Sequence, residues 1–174
     1  MPKYIKQINT REGILYNNIL LLSRNKLFYT KCGLSDTFQN RINLIFLHIS
    51  FLFIRKKQKV KNSSYKQFDQ KLFDLIFKKI DSNMREIGYG DIMVSKKMKF
   101  LIKVFYNILL DSEKYTKKNL KNKSLYLVKY LSLNDNKKST INIELVDYFD
   151  KYQAFCFDLA PDSVLHGDLN FYYK

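Results

Sequence analysis

The sequence predicts an all-α fold, an irregular bundle of about five to seven helices. The 174 residues include only five glycines and two prolines, whereas a β-sandwich or barrel needs a turn about every 8–12 residues. Apolar residues instead recur at spacings of three and four over long stretches, as they do on one face of a helix. Hydrophobic residues make up 46% of the chain and aromatic residues 16%. This composition supports a core and excludes a wholly disordered protein.

The chain is predicted to divide into a weakly patterned N-terminal lead-in, residues 1–28, and a single helical domain, residues 29–174. One helix is predicted in the lead-in, around Gly13–Leu22. Its apolar run is broken by two asparagines and is followed by no small-residue cleavage site, so no secretory signal is predicted.

The first long helix of the domain is predicted to start at Asp36 and to run to about Lys57. Asp36 with Gln39 is a variant of the capping box, in which two side chains satisfy free backbone amides at the helix start. Apolar residues occupy both faces, so the helix is expected to be buried nearly all round. Its apolar run, Ile42–Ile54, is shorter than the roughly 20 residues that span a membrane. A core helix is therefore predicted, with a position in a bilayer interface left open.

Two amphipathic helices are predicted next. Ser64 with Gln67 repeats the capping pattern and opens a helix that runs to about Ile87 and is closed by Gly88. After a tight turn, Ser95 is the predicted N-cap of a helix with the most regular apolar stripe in the chain.

Two further helices are predicted in the C-terminal part of the chain. The first is short, Ser124–Leu133, and a polar loop follows it. The second is Asn142–Leu159, and alternating apolar residues at Ile141–Leu145 leave a short strand as the alternative at its start. Pro161 then breaks the chain before a short tail.

The net charge of +15 is distributed unevenly along the chain. Residues 29–63 and 95–140 carry the basic excess, whereas residues 64–94 are neutral and residues 141–174 are acidic. Two basic clusters are predicted to face an anionic surface, either lipid headgroups or RNA. They comprise Arg55, Lys56, Lys57, Lys59 and Lys61, and Lys114, Lys117, Lys118, Lys121 and Lys123.

The same basic residues could also arise without any binding role. Lysines at helix ends are often simply solvated and complement the helix dipole. An AT-rich genome also raises the lysine content without any functional cause. Specific DNA recognition is not predicted, because lysine far outnumbers arginine, the residue that makes most bidentate base contacts.

No catalytic or metal site is predicted, so the chain is not expected to be an enzyme or to hold a cofactor. His48, His166, Cys32 and Cys156 lack the spacing of a zinc site, and the cysteines do not form a disulfide framework. Phosphate-binding and nucleophile-elbow motifs are absent. His48 lies in the predicted buried helix, where a lone histidine is more often a hydrogen-bonded core residue than a ligand. Direct haem binding through His48 stays open as the alternative.

A distinctive group of charged residues and glycines runs from Arg85 to Lys99. Gly90 is expected to let the chain reverse, and Asp91 to bond backbone amides in the turn. Arg85 and Glu86 are expected to form an ion pair at the helix end. Scaffolding of this corner and docking of a partner both account for the pattern.

Two signatures in the sequence resemble those of the ubiquinol–cytochrome c chaperone family. The first comprises Tyr29-Thr30, Asp36-Thr37-Phe38-x-x-Arg41 and Leu47-His48. The second comprises Leu72-Phe73-Asp74, Arg85-Glu86-Ile87-Gly88-Tyr89-Gly90-Asp91 and Val94-x-Lys96-Lys97-Met98-Lys99, and is followed by the aromatic pair Phe105-Tyr106. The resemblance is best over residues 28–110. Beyond them, Leu165-x-Gly167-x-Leu169-x-Phe171 resembles the family's terminal pattern.

The resemblance implies an assembly chaperone that binds newly made cytochrome b and supports assembly of ubiquinol–cytochrome c reductase, respiratory complex III. Mitochondrial members of the family associate with the ribosomal tunnel exit, so the ribosome and a second assembly subunit are further candidate partners. The short chain, without an organelle-targeting extension, is similar to bacterial members. A cytoplasmic position is therefore expected, peripheral at the inner membrane, or on the matrix side in a mitochondrion. A basic RNA- or ribosome-binding helical module without a specific client is the alternative.

The two signatures also imply which residues contact a partner. Together with the polarised charge, they predict an oriented protein with basic residues toward a phosphate-rich surface and the corner near Gly88 free for a partner. The candidate partner-binding residues are Arg41, His48, Arg85, Glu86, Gly88, Gly90, Asp91, Lys96 and Lys99.

Overall fold

The computed structural model describes residues 10–59, 63–134 and 141–173, and it confirms the all-α fold. In these residues helices are the regular elements, and one isolated bridge pairs Leu34 with Leu133. The helices are α1 (Arg11–Ser23), α2 (Leu27–Thr30), α3 (Phe38–Lys59), α4 (Ser63–Glu86), α5 (Asp91–Ser112), α6 (Leu120–Tyr130), α7 (Ile143–Asp158) and α8 (Pro161–His166), with a 3₁₀ turn at Tyr115–Lys117.

Helix α3 forms the centre of the bundle and contacts α1, α5 and α7. Leu44, Phe46 and Phe51 point in different directions around the helix, and all three are fully buried. The expectation that this helix is buried nearly all round is therefore confirmed. Phe46 packs against Phe77 of α4 and meets Phe105 of α5 edge to face. None of the helices described is both long and apolar enough to cross a membrane.

The start of α3 differs from the predicted capping box. Thr37 is the N-cap, and its Oγ1 accepts a hydrogen bond from the backbone N–H of Asn40 at 3.2 Å. Asp36 instead binds the Arg41 guanidinium through both carboxylate oxygens, at 2.7 and 2.8 Å. Threonine and aspartate are both good N-caps, so the local pattern alone could not choose between these neighbours.

The turn between α4 and α5 confirms one prediction and corrects another. Gly88 has φ +95°, and the N–H of Tyr89 donates to the carbonyl of Met84 at 3.0 Å, which is the Schellman arrangement that ends a helix. Helix α5 then begins at Asp91, before the predicted cap Ser95, with Gly90 as its N-cap residue. A glycine N-cap has no side-chain oxygen, so it gives a weaker sequence signal than a serine. Helix α4 begins at Ser63, so the predicted cap Ser64 lies in its first turn and is not the N-cap.

Helices α6 and α7 are both opened by an asparagine. Asn119 accepts from the N–H of Asn122 at 2.9 Å, so α6 starts earlier than predicted. Asn142 accepts from the N–H of Leu145 at 3.1 Å and is the predicted start of α7. The alternative of a strand at Ile141–Leu145 is therefore wrong.

Helix α1 lies against the C-terminal tail of the chain. The side-chain amide of Asn18 donates to the carbonyl of Gly167 at 2.8 Å. Ile19 of α1 is fully buried in the core that surrounds α3. Beyond Gly167 the tail packs on α7, where Phe171 meets Tyr148 edge to face. Helix α1 therefore shares its core with the rest of the bundle, and the domain boundary at residue 28 stays a prediction.

Candidate functional site

Arg85 fixes the corner between α4 and α5. Its Nε lies 2.6 Å from Oδ1 of Asp81, and its Nη1 also bonds Asp91 at the start of α5. The two carboxylates raise the pKa of Arg85, with the hydrogen bond to Asp81 the larger cause. The predicted ion pair between Arg85 and Glu86 is wrong, because adjacent residues of a helix point to different sides whereas Asp81 lies one turn away.

A cleft of about 280 Å³ opens between α1, the start of α3 and the end of α4. Most of its lining is apolar, with charged and amide side chains completing it. The apolar lining comprises Tyr16, Leu20, Phe38, Ile42, Ile45, Ile80 and Ile87, and the polar lining comprises Ser23, Arg24, Arg41, Asn83 and Glu86. The cleft is where the two signature segments meet, since one contributes Phe38 and Arg41 and the other Glu86 and Ile87.

The charged groups of this cleft are exposed. The side chains of Arg41 and Asp36 are 49% and 52% exposed, so solvent screens their ion pair and it contributes little to stability. The hydrogen bonds between Asp36 and Arg41 lower the pKa of Asp36 and raise the pKa of Arg41. Glu86 is exposed and has no ion-pair partner in the part of the chain that the structure describes. The cleft thus offers an oriented guanidinium and an exposed carboxylate beside an apolar surface, which suits an amphipathic protein segment.

His48 lies in the core, so the expectation that it contacts a partner is wrong. It is fully buried, with Nδ1 2.6 Å from the carbonyl of Leu44 and Nε2 2.8 Å from the hydroxyl of Tyr148. Because a carbonyl only accepts, Nδ1 carries the proton and Nε2 accepts from Tyr148. Burial lowers the pKa of His48 to about 4. Both ring nitrogens are engaged with the protein, which agrees with the interpretation of His48 as a core residue.

The remaining partner-binding candidates lie at the corner and on α5. Gly88 and Gly90 form the turn, while Asp91, Lys96 and Lys99 are exposed. Gly90, Asp91 and Lys96 line a shallow depression together with Ile92 and Met93. These residues remain predicted partner contacts.

The second basic cluster is only partly available to an anionic surface. Lys114, Lys117 and Lys121 are exposed, and Lys118 is half-buried. Lys123 is a correction, because its Nζ lies 2.8 Å from each carboxylate oxygen of Asp150. The Lys123 ammonium group is therefore engaged in an ion pair between α6 and α7 and is not available to bind an anionic surface.

Arg55 corrects the first basic cluster. The residue is only 1% exposed, so its assignment to an anionic surface is wrong. Its guanidinium lies near Cys156 and Tyr65, and burial lowers its pKa. None of its three nitrogens has a hydrogen-bond partner among the described residues. The structure does not describe the rest of this cluster, which comprises Lys61 and the side chains of Lys56, Lys57 and Lys59.

We expect Arg55→Met to stabilise the protein by about 1–2 kcal/mol. The substitution removes an unpaired buried charge and leaves an unbranched apolar side chain in its place. Urea unfolding followed by circular dichroism measures the change. Arg41→Met is the control, because that arginine is exposed, and its effect should stay within about 1 kcal/mol. A clear loss of stability in Arg55→Met would show that the buried guanidinium has a favourable interaction.

Sequence reasoning missed the contribution of α1 to the cleft. Tyr16 and Leu20 line the cleft, but they belong to the weakly patterned lead-in. Their spacing of four residues along a helix was the available signal. Which neighbour the apolar face of α1 would meet depends on tertiary packing.

No metal or disulfide site emerges from the residues that the structure describes. They contain no group of three or more histidine, cysteine or acidic side chains that could hold a metal ion. Cys32 and Cys156 are both buried and are not joined to each other by a disulfide, and burial raises the pKa of Cys156 to about 12. A high pKa disfavours the thiolate, the reactive form of cysteine.

Comparisons with known proteins agree with the resemblance carried by the two signatures. The model of the family described as ubiquinol–cytochrome C chaperone matches residues 30–170. The fold is similar to that in the crystal structure of the Cbp3 homolog from Brucella abortus, with a TM-score of 0.78 and 22% sequence identity over 98% of this chain and 93% of that chain. No curated protein matches the sequence at a significant level. Because the family match covers most of its length, the chain belongs to the ubiquinol–cytochrome c chaperone family.

Proposed function

We propose that this protein is an assembly chaperone for respiratory complex III and that its client is newly made cytochrome b. Family membership supports the assembly role. The observation that carries the proposal is the apolar cleft where Phe38 and Arg41 of one signature meet Glu86 and Ile87 of the other. Recognition needs no covalent chemistry, since an apolar lining with a few charged groups holds a protein segment by burial and hydrogen bonding.

The size of the cleft fits transient binding of a client. At about 280 Å³, it lies at the small end of ligand pockets, which range over roughly 300–1,000 Å³. It therefore receives a short apolar anchor of the client and not a whole helix. An anchor of this size binds weakly enough to be released when the client joins its final partners.

Ile87→Asp is expected to reduce client binding at least about tenfold, because a carboxylate in the cleft must lose its water when an apolar segment binds. The fold should be unaffected, since Ile87 is 58% exposed. The measurement is the amount of cytochrome b that co-purifies with the tagged protein from cells that make complex III. Leu21→Asp is the matched control, because Leu21 is exposed on α1 and does not line the cleft. Wild-type recovery of cytochrome b by a folded Ile87→Asp protein would exclude the cleft as the client site.

The assembly role itself is tested by deleting the gene. Complex III and its assembled cytochrome b should fall sharply and recover when the wild-type protein is restored. If complex III is unchanged and no assembly intermediate co-purifies with the tagged protein, the proposed function fails.

A peripheral position at the inner membrane, on its cytoplasmic face, is part of the proposal. The exposed lysines Lys114, Lys117 and Lys121 support contact with anionic phosphates. The same lysines suit the competing function, a ribosome- or RNA-binding module without a client. Steeply salt-dependent RNA binding without any membrane-protein client, together with unchanged complex III in the deletion strain, would favour that module.

A further inference from the structure

The outer surface of α5 exposes large apolar side chains and lysines together. Five large apolar side chains on this helix are between 49% and 76% exposed, and three lysines beside them are also exposed. We call this surface the α5 face. It comprises Ile92, Met93, Lys96, Lys99, Phe100, Lys103, Tyr106 and Leu110.

The α5 face is not needed for the packing of the bundle. The opposite side of the helix, with Leu101, Phe105 and Ile108, is already buried against α3 and α4. From Ile92 to Leu110 the exposed side chains extend over about 27 Å at the rise of an α-helix. Large apolar side chains grouped on one exposed face of a helix commonly mark a binding surface.

The α5 face is positive between Lys96 and Lys103 and carries no charged residue from there to Leu110. No acidic residue occurs between Asp91 and Asp111. No salt bridge involves Lys96, Lys99 or Lys103 within the described residues. Asp111 is itself bound to Lys129 at 2.8 Å. The face therefore complements an anionic partner.

We infer that the α5 face binds the surface of an anionic lipid bilayer. Aliphatic side chains such as Ile92, Met93 and Leu110 partition into the boundary between headgroups and acyl chains. Phe100 and Tyr106 of the same face offer aromatic rings on which bases stack, but the three aliphatic side chains offer none, so the set as a whole favours lipid over single-stranded nucleic acid. The lysine stems lie along apolar surface while their ammonium groups reach the phosphates.

The arrangement of the lysines sets the depth of this contact. Lys99 and Lys103 lie between the apolar residues along the helix and not only beside them. The helix therefore rests at the level of the headgroups, and binding requires apolar contact and anionic lipid together. The inference rests on the peripheral position in the proposed function but involves a surface other than the cleft, so it is tested without any client.

The absence of tryptophan from the chain allows a direct test. Phe100→Trp places a single tryptophan on the α5 face, and Leu21→Trp places one at a 70% exposed position on α1 as the control. With vesicles of phosphatidylcholine and phosphatidylglycerol, the emission of Phe100→Trp should shift to shorter wavelength and be quenched by brominated acyl chains. The emission of Leu21→Trp should not change. Vesicles of phosphatidylcholine alone should have no effect on either protein.

Two variants in the Phe100→Trp background separate the apolar contribution from the charge. Changing Lys96, Lys99 and Lys103 to glutamate should weaken vesicle binding at least about tenfold, and so should Ile92→Ser with Leu110→Ser. All five positions are exposed, so the fold should be retained, as circular dichroism can verify. The inference is overturned if anionic vesicles leave the Phe100→Trp emission unchanged or shift both reporters equally. It is also overturned if RNA or an acidic protein shifts the emission and vesicles do not.

Discussion

Gly167→Ala is expected to destabilise the protein by about 3 kcal/mol. Gly167 ends α8 with φ +82°, a left-handed conformation that L-residues with a Cβ rarely adopt. A Cβ on this residue would lie 2.8 Å from Cγ2 of Ile14 and 3.1 Å from the backbone nitrogen of Leu15. Either the tail or α1 must therefore move, which weakens the hydrogen bond from Asn18 to the carbonyl of Gly167.

Gly88→Ala is the matched control for this prediction. Gly88 also has a positive φ, +95°, but a Cβ there would meet no atom within 4 Å. Gly88→Ala should lower the free energy of unfolding by only about 1 kcal/mol, because it adds backbone strain but no steric clash. Urea unfolding of both variants measures the difference, which reports the close approach of the tail to α1. Equal losses in the two variants would contradict that close approach.

Acidification should weaken the fold through His48. Its pKa is lowered to about 4 by burial, whereas an unfolded histidine has a pKa of about 6.5. Between these values the unfolded chain binds the additional proton, so the free energy of unfolding decreases as the pH falls. The contribution is complete above about pH 6.5, declines toward pH 4, and amounts to about 3 kcal/mol in total.

The pH effect can be assigned to His48 with a double variant. His48→Leu with Tyr148→Phe removes both partners of the buried hydrogen bond and leaves no orphaned hydroxyl. Urea unfolding at several pH values between 4 and 7 should show a shallower pH dependence for the variant than for the wild type. His166, the other histidine, is exposed and remains in both proteins. Identical pH dependence in the two proteins would show that His48 does not titrate in this way.

Local signals predicted the parts of the fold that local contacts determine. Asn142 caps α7 and Gly88 ends α4, as their residue types indicate. The start of α5 was misplaced because Gly90 opens the helix without a side-chain cap. Arg55 was misassigned because it begins a basic run, although the burial of α3 on all sides extends to it. A residue's neighbours in sequence therefore did not predict its neighbours in space.

The candidate site was predictable in its residues but not in its geometry. Arg41 and Glu86 were selected by resemblance, and their position on one cleft depends on how α3 packs near α4. The contribution of Tyr16 and Leu20 required the position of α1. The lysines of the α5 face were visible in sequence, but exposure of Ile92 and Leu110 became evident only when the opposite side of α5 was found buried.

The hydrogen bond between Asn18 and Gly167 has a consequence for the support of the cleft. It joins residues 149 positions apart in a chain of 174. Its two residues come from α1 and from the end of α8, and contacts between such distant segments close slowly. Because α1 forms one wall of the cleft and also packs on α3 and α4, this slow-forming contact adds to a wall that the central helices already hold. A change in α8 therefore reaches the cleft through α1, although none of the described lining residues belongs to α8.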